Sequence, residues 1–178
     1  EFTDVSEELK IRKRFGDFNT CNARWNNSKS STTHDRLKKD PQEWELYHTD
    51  LEEKRQNWLL DPLHEVIKFC HQLPSNTVIG DFGCGKADLS KALGDDYYVH
   101  SFDHIAIDDD VVECDIGEGI PLENESIDLA IFSLSLMGKN WKDYLKEARR
   151  CLKPLGQIDI WNPLKQSIDK ELMGALEE

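Results

Sequence analysis

Residues 78–90, VIGDFGCGKADLS, run from an apolar stretch through an acid and a glycine-rich turn into a helix-like pattern. Such a turn has four uses: tight strand-to-helix packing, a phosphate cradle, a seat for a nucleoside cofactor, or display of Cys84 as a nucleophile. Gly83 and Gly85 let the backbone bend sharply and approach a ligand, and the following helix offers free N–H groups. Neither GxGxxG nor a GKS/GKT triplet is present, so a Walker phosphate loop is excluded. Cys84 has no adjacent His and no third orienting group, which argues against a catalytic thiol. Asp103 closes the stretch VHSFD about 20 residues past the turn, the spacing at which an acid holds a ribose diol. Asp115-Ile116 closes VVECDI, where an acid can accept from an adenine amino group and the apolar side chain can pack on the ring. Ser133 and Ser135, in FSLSLMGKNW, are candidates for a pocket floor, walled by Leu134, Leu136 and Met137. Each feature alone has a bland reading: a packing turn, a surface acid, a polar strand end, a core stripe. Their joint spacing favours a binding site, and an adenosine-type ligand without a phosphate loop points to S-adenosylmethionine over NAD.

Elements must bring these residues together. Short apolar runs at 77–82, 97–102, 111–115, 127–134 and 157–161 read as strands, and amphipathic stretches at 86–93, 141–152 and 166–177 as helices. Strands alternating with helices predict an α/β domain with a parallel, doubly wound sheet, whose ligands sit beyond the strands' carboxyl ends. The apolar run 127–136 suits a central strand buried on both faces. Upstream, Asp40-Pro41 and Asp61-Pro62 each read as an N-cap followed by proline at the first helical position. The first of these helices sets Trp44, Tyr47, Leu51 and Trp58 on one face, with His48 and Arg55 on or beside it. Residues 1–39 lack sustained periodicity and read as a polar extension with partial order around Phe15, Phe18 and Trp25. The expected organisation is therefore an extension at 1–39 and one domain at 40–178, with helices at 40–73 and a core at 76–178.

Composition narrows the class. The chain has 178 residues and a formal net charge of −13, with the excess acid in residues 59–178. Such a body repels phosphate backbones at long range, so any nucleic-acid substrate needs a local basic patch or an attached domain. The one dense basic run, Lys10 to Arg14, reads as a solvated segment. The five cysteines are scattered without a CxxC pair, which predicts reduced thiols and no structural zinc. His100, His104, Asp103 and Cys114 lack a recognised ligand spacing, so no metal is expected. No apolar stretch approaches the ~20 residues of a membrane span.

The strings DFGCGKADLS, VHSFDHIA, VVECDI and IPLENESIDLAIFSLSLMGKNWKDYLKEARRCLKPLG, with DPQEWELYH upstream, resemble the ribosomal RNA-processing methyltransferases, a nucleomethylin-like family that includes bacterial relatives. The resemblance covers about 40–165. It implies a Rossmann-like class I methyltransferase fold, S-adenosylmethionine as cofactor, and N1-methylation of an adenosine in large-subunit ribosomal RNA. It implies cofactor contacts at His48, Gly83, Asp103, Asp115, Ile116 and Ser133, with Gly85 as the second glycine of the same turn. It implies an intracellular protein, cytoplasmic in a bacterium and nuclear or nucleolar in a eukaryote. Three features depart from the pattern. Lys86 follows the turn where an acid is common, KPLGQ (153–157) replaces a double glycine, and the sequence ends at Glu178, before the last two strands that the resemblance implies.

Overall fold

The computed structural model describes residues 5–162. Five strands form one sheet: β1 (Val78–Phe82), β2 (Tyr98–Asp103), β3 (Val111–Glu113), β4 (Ile127–Ser133) and β5 (Leu152–Trp161). Their order is β3-β2-β1-β4-β5 and every pairing is parallel. The sheet winds outward in both directions from β1 and β4, so the switch point falls between the carboxyl ends of these two strands. The glycine turn leaves β1 there and the SLSLMG segment leaves β4. The predicted strands all form. The fifth is longer than expected because pairing with β4 resumes at Leu152, across a register irregularity between Ile127 and Leu129. The helix predicted at 166–177 lies outside the described residues.

Period-2 alternation in β4 explains why both faces are covered. Leu129 and Ile131 point to one side, against Val66 and Cys70 of α5 (Pro62–Cys70) and Leu89 of α6 (Asp88–Leu93). Ala130 and Phe132 point to the other, with Phe82 and Phe102, against Leu145 and Ala148 of α7 (Trp141–Cys151). A strand buried on both faces reads as a continuous apolar run, which is why 127–134 was legible.

Residues 5–39 differ from the expected polar extension. They form three helices, α1 (Val5–Phe15), α2 (Phe18–Asn26) and α3 (Ser30–Lys39), which pack with α4 (Gln42–Arg55) around Cys21, Trp25, Leu37 and Trp44. Helical periodicity is diluted in α3 because polar Ser30 and Thr33 share its buried side, and they meet buried acids, Glu43 and Asp50, on α4. Glu43, 0% exposed, accepts hydrogen bonds from Arg24 at 2.7 Å, the Trp25 indole at 2.9 Å and Arg36 at 2.9 Å, so one carboxylate joins α2, α3 and α4. Burial pushes this carboxyl upward, but the bonds from Trp25 and Arg36 and the adjacent guanidinium charges outweigh it and hold the group below its ordinary value. Arg12 of α1 forks onto Asp50 at 2.9 and 2.6 Å, a bidentate pair that fixes α1 on α4.

Of the two Asp-Pro starts, Asp61 caps α5 as predicted, accepting from Leu63 N–H at 3.1 Å. Asp40 does not cap α4; its carboxylate pairs with Arg14, and Pro41 already has helical backbone angles. Removing the hub's charge tests this packing. Glu43→Gln leaves two guanidinium groups without their buried partner and is expected to cost about 3 kcal/mol of unfolding free energy, read from urea denaturation.

Candidate functional site

The turn after β1 is shaped by what it must avoid. Gly83 (φ +85°) and Gly85 (φ +58°) adopt left-handed backbone. A Cβ on Gly83 would lie 2.4 Å from the Cβ of Ser135, and one on Gly85 would lie 3.0 Å from the His48 ring. The turn is held by its own amides: Gly83 and Cys84 N–H both donate to the Phe102 carbonyl, at 2.8 and 3.0 Å. Gly85 N–H donates to Asp103 Oδ2 at 2.9 Å, while Oδ1 of the same carboxylate accepts from the Trp44 indole at 2.8 Å. Asp103 thus ties the end of β2 to the glycine turn and to α4.

One cavity lies over these strand ends. Of the predicted site residues, His48, Gly83, Gly85, Asp103, Ile116 and Ser133 all line it. Asp115 does not line it; the residue lies just behind Ile116. Its Oδ1 accepts from Gly117 N–H at 2.9 Å, capping a short 3₁₀ turn, and its Oδ2 accepts from the Ser30 hydroxyl at 2.9 Å. His48 Nδ1–H donates to the Trp44 carbonyl at 2.9 Å, and burial pushes the imidazole below its ordinary value. The ring is accordingly neutral at pH 7, with its bare Nε2 on the Gly85 side.

The sequence reading missed the wall built by the N-terminal helices. Trp25, Ser30 and Thr33 line the same cavity, as do Asp81, His104 and Ser135. Ser28 and Ser30 reach the loop after β4: the Ser28 carbonyl accepts from Lys139 N–H at 2.8 Å, and Ser30 N–H donates to Asn140 Oδ1 at 2.8 Å. Only the polar character of 28–33 signalled these roles, and polarity there reads equally as a loop.

Three observations bear on what the cavity holds. Two buried hydroxyl oxygens on its walls, Thr33 Oγ1 and Ser135 Oγ, have no hydrogen-bond partner among the described residues, so polar valence is left for a ligand. Leu134, which lines the cavity, has φ +60°, strained backbone of the kind that concentrates at binding sites. Asp81 and Asp103 are both buried, and burial followed by the Asp103 charge raises the Asp81 carboxyl to about 7. Two close acids favour a cationic ligand, and a sulfonium nucleoside fits acids, free hydroxyls and a glycine cradle together. The thiol of Cys84 is pushed far up by burial and then by Asp81 and Asp103, so it stays protonated. His104 faces His34 across 3.2 Å between Nδ1 atoms, and among the described residues no cluster of three or more His, Cys, Asp or Glu is placed to hold a metal.

Known proteins match this chain over nearly all of it. A family model described as "Hypothetical methyltransferase" matches residues 4–167. Ribosomal RNA-processing protein 8 of Caenorhabditis elegans is 36% identical over 160 residues, which cover 90% of this chain and 46% of that protein. The protein of the same name from Arabidopsis thaliana is 35% identical over 154 residues, covering 86% and 53%. The 25S rRNA (adenine(645)-N(1))-methyltransferase of Schizosaccharomyces pombe is 32% identical over 168 residues, covering 89% and 52%. The chain spans about half the length of the curated relatives it matches.

Two substitutions test the geometry. Gly83→Ala adds a clash with Ser135 to the strain of a positive φ, whereas Gly94→Ala meets the strain alone, since nothing lies within 4 Å of its Cβ. Gly94→Ala, at φ +58° and ψ −149°, should cost about 2 kcal/mol from strain alone, and Gly83→Ala more than that through the added clash, compared by thermal melting. Asp81 tests the electrostatics. Its folded value near 7 stands above the ordinary 3.8, so its stability contribution falls as pH rises between those values and is flat above. Asp81→Asn is expected to raise the melting temperature relative to the unsubstituted protein, clearly at pH 8 and less at pH 5.

Proposed function

The chain belongs to the methyltransferase family whose model spans residues 4–167, and from that premise we propose that it binds S-adenosylmethionine and methylates N1 of an adenosine in large-subunit ribosomal RNA. The observation that carries the cofactor reading is the cavity at the β1/β4 switch point, where Asp103 fixes the glycine turn and keeps further lone pairs for a ribose diol. Ile116 offers an apolar surface to the nucleobase, with Asp115 at that end of the cavity. The acids at the other end, Asp81 above all, suit the positive charges of the cofactor's methionine half. The target base is carried over from the relatives' names, one of which specifies adenine N1.

When bound, the cofactor supplies an electrophilic methyl group. The residues of this chain bind, orient and exclude water; none is needed as a strong base, because adenine N1 carries a free lone pair at neutral pH. His48, held neutral by burial, leaves no imidazolium charge against a sulfonium. Position and dryness are what the site contributes to an in-line transfer. N1 is hidden in a base pair, so the target adenosine has to be unpaired or flipped out of its stack. The reading also implies that the protein works inside the cell, where ribosomal RNA is made.

The net charge of −13 favours a second reading, transfer to a small metabolite, because it opposes the approach of an RNA backbone. Calorimetric titration with S-adenosylmethionine tests the cofactor: Asp103→Ala is expected to bind at least about a hundredfold more weakly, the loss of two or more charge-assisted bonds. Equal affinity for both proteins overturns the cofactor assignment. Labelled methyl transfer then tests the substrate. Incorporation into a large-subunit rRNA fragment, with a reverse-transcription stop at one adenosine, supports N1 methylation, while incorporation into a metabolite pool alone selects the second reading.

A further inference from the structure

The cations that line the cavity on the side of α4 and the glycine turn are already neutralised. Lys86 pairs with Glu52 at 2.9 Å, and Arg55 forks onto Asp61 at 2.9 and 3.0 Å. Another stretch of the rim is different. There the segment before α3 meets the loop after β4: the Ser28 carbonyl accepts from Lys139 N–H at 2.8 Å, and Ser30 N–H donates to Asn140 Oδ1 at 2.8 Å. Both segments line the cavity, one through Ser30 and the other through Gly138. Their contact brings Lys29 and Lys139 together, and Lys142 follows at the start of α7. All three lysines are exposed. Among the described residues none of their ammonium groups pairs with a carboxylate; that of Lys142 lies 5.6 Å from the centroid of the Trp141 ring. The two acids of α7 are engaged by other cations, Asp143 by Lys146 at 3.1 Å and Glu147 by Arg150 at 2.6 Å. The lysines also stand where they help the fold least. Lys29 immediately precedes α3 without making a side-chain cap, Lys142 lies in the first turn of α7, and a helix start disfavours positive charge.

From this patch we propose that Lys29, Lys139 and Lys142 form the surface that takes the phosphate backbone of the RNA substrate beside the cavity. The inference rests on the reading of the chain as an RNA methyltransferase, and it names where that substrate lies. A base that enters the cavity leaves the phosphates on either side of it at the mouth. The cations able to hold them are those with no carboxylate partner in the protein, and at this mouth they lie along the 28–30 and 138–142 rim. A phosphate bound there also compensates the unfavourable placement of lysines at two helix starts. The net charge of −13 does not forbid the contact. Charges separated by more than about 8 Å are largely screened at physiological salt, so a phosphate on the patch feels the three lysines more than the distant acids. The acidic remainder of the surface then favours RNA laid along one rim over RNA wrapped around the body. The three lysines position the strand, and the methyl transfer is left to the cavity.

Fluorescence anisotropy of a labelled large-subunit rRNA fragment, followed against salt concentration, tests the patch. For single strands the slope of log affinity against log salt carries about 0.7 for each phosphate neutralised. A variant combining Lys29→Gln, Lys139→Gln and Lys142→Gln should therefore flatten the slope by about 2. Raising salt from about 50 to about 200 mM should accordingly weaken the unsubstituted protein about fifteenfold more than it weakens the variant. A second variant, Lys10→Gln with Lys13→Gln and Lys39→Gln, removes the same charge from exposed positions at the other end of α3, where Arg14 joins α1 to Asp40. It should keep the slope of the unsubstituted protein. Affinity for S-adenosylhomocysteine, measured by calorimetry, should be the same in all three proteins. A slope unchanged in the first variant, or lowered equally in both, overturns the patch while leaving the RNA reading standing. Weaker S-adenosylhomocysteine binding in the first variant overturns it too, because the lysines then act through the cofactor pocket. Failure of the unsubstituted protein to bind or methylate the fragment overturns the RNA reading and this inference with it.

Discussion

The carboxylate of Asp103 is the point on which the site depends. It is 7% exposed and accepts one N–H from the glycine turn and one from an indole on α4. Each bond does a separate job. The bond from Gly85 fixes how the chain leaves β1, and the bond from Trp44 fixes where α4 crosses the strand ends. A buried carboxylate left short of donors is costly, so the pair of bonds is also what makes burial of Asp103 tolerable. Trp44 follows Glu43 in sequence, and Glu43 holds α2 and α3 through two arginines and a tryptophan. Adjacent residues of α4, rotated by about 100° around the helix, therefore take different partners, one gripping the sheet and one gripping the N-terminal helices. The cavity lies where those two grips meet.

That arrangement leaves acids close together. Asp81 and Asp103 stand at neighbouring strand ends, and only the second has its charge well solvated by protein donors. The first answers by holding its proton to about pH 7. Such a pair is poorly matched in the absence of a ligand and better matched when a cation enters, so binding of a positively charged group relieves a cost already present in the fold. Burial first, and then the same two carboxylates, keep Cys84 protonated. The cysteine in the most conspicuous motif of the sequence is thus a poor nucleophile.

How much of this was legible follows from which interactions are local. The strands were readable because period-2 alternation and continuous apolar runs are properties of neighbouring residues. The glycine turn and Asp103 were readable because their spacing is fixed by one strand-helix-strand unit. Periodicity puts His48 only on or beside the apolar face of its helix, and the resemblance to a methyltransferase family gives it a role. The helices of 5–39 were not legible as part of the domain, because their burial runs through long-range polar contacts. Arg24 and Arg36 look solvated until Glu43 is known to lie between them, and Ser30 looks like a loop residue until Asp115 and Asn140 are beside it. Asp40 shows the converse: a sound local cap signal overridden by Arg14, a tertiary partner no local pattern reveals.

The basic run at Lys10 to Arg14 bears on the proposed RNA substrate. Read from sequence it is a solvated cationic segment, the one dense run in an acidic chain. In the fold, Arg12 is held by Glu8 and Asp50, and Arg14 pairs with Asp40, so both guanidinium groups face carboxylates. Neutralised charges contribute little to phosphate attraction at long range. The run's physical role within residues 5–162 is to fasten α1 to α4, and through α4 to the cavity. Attraction to an RNA backbone is then not what this part of the molecule is built to provide. For the proposed RNA substrate, a phosphate-binding contribution has to come from charges other than these arginines.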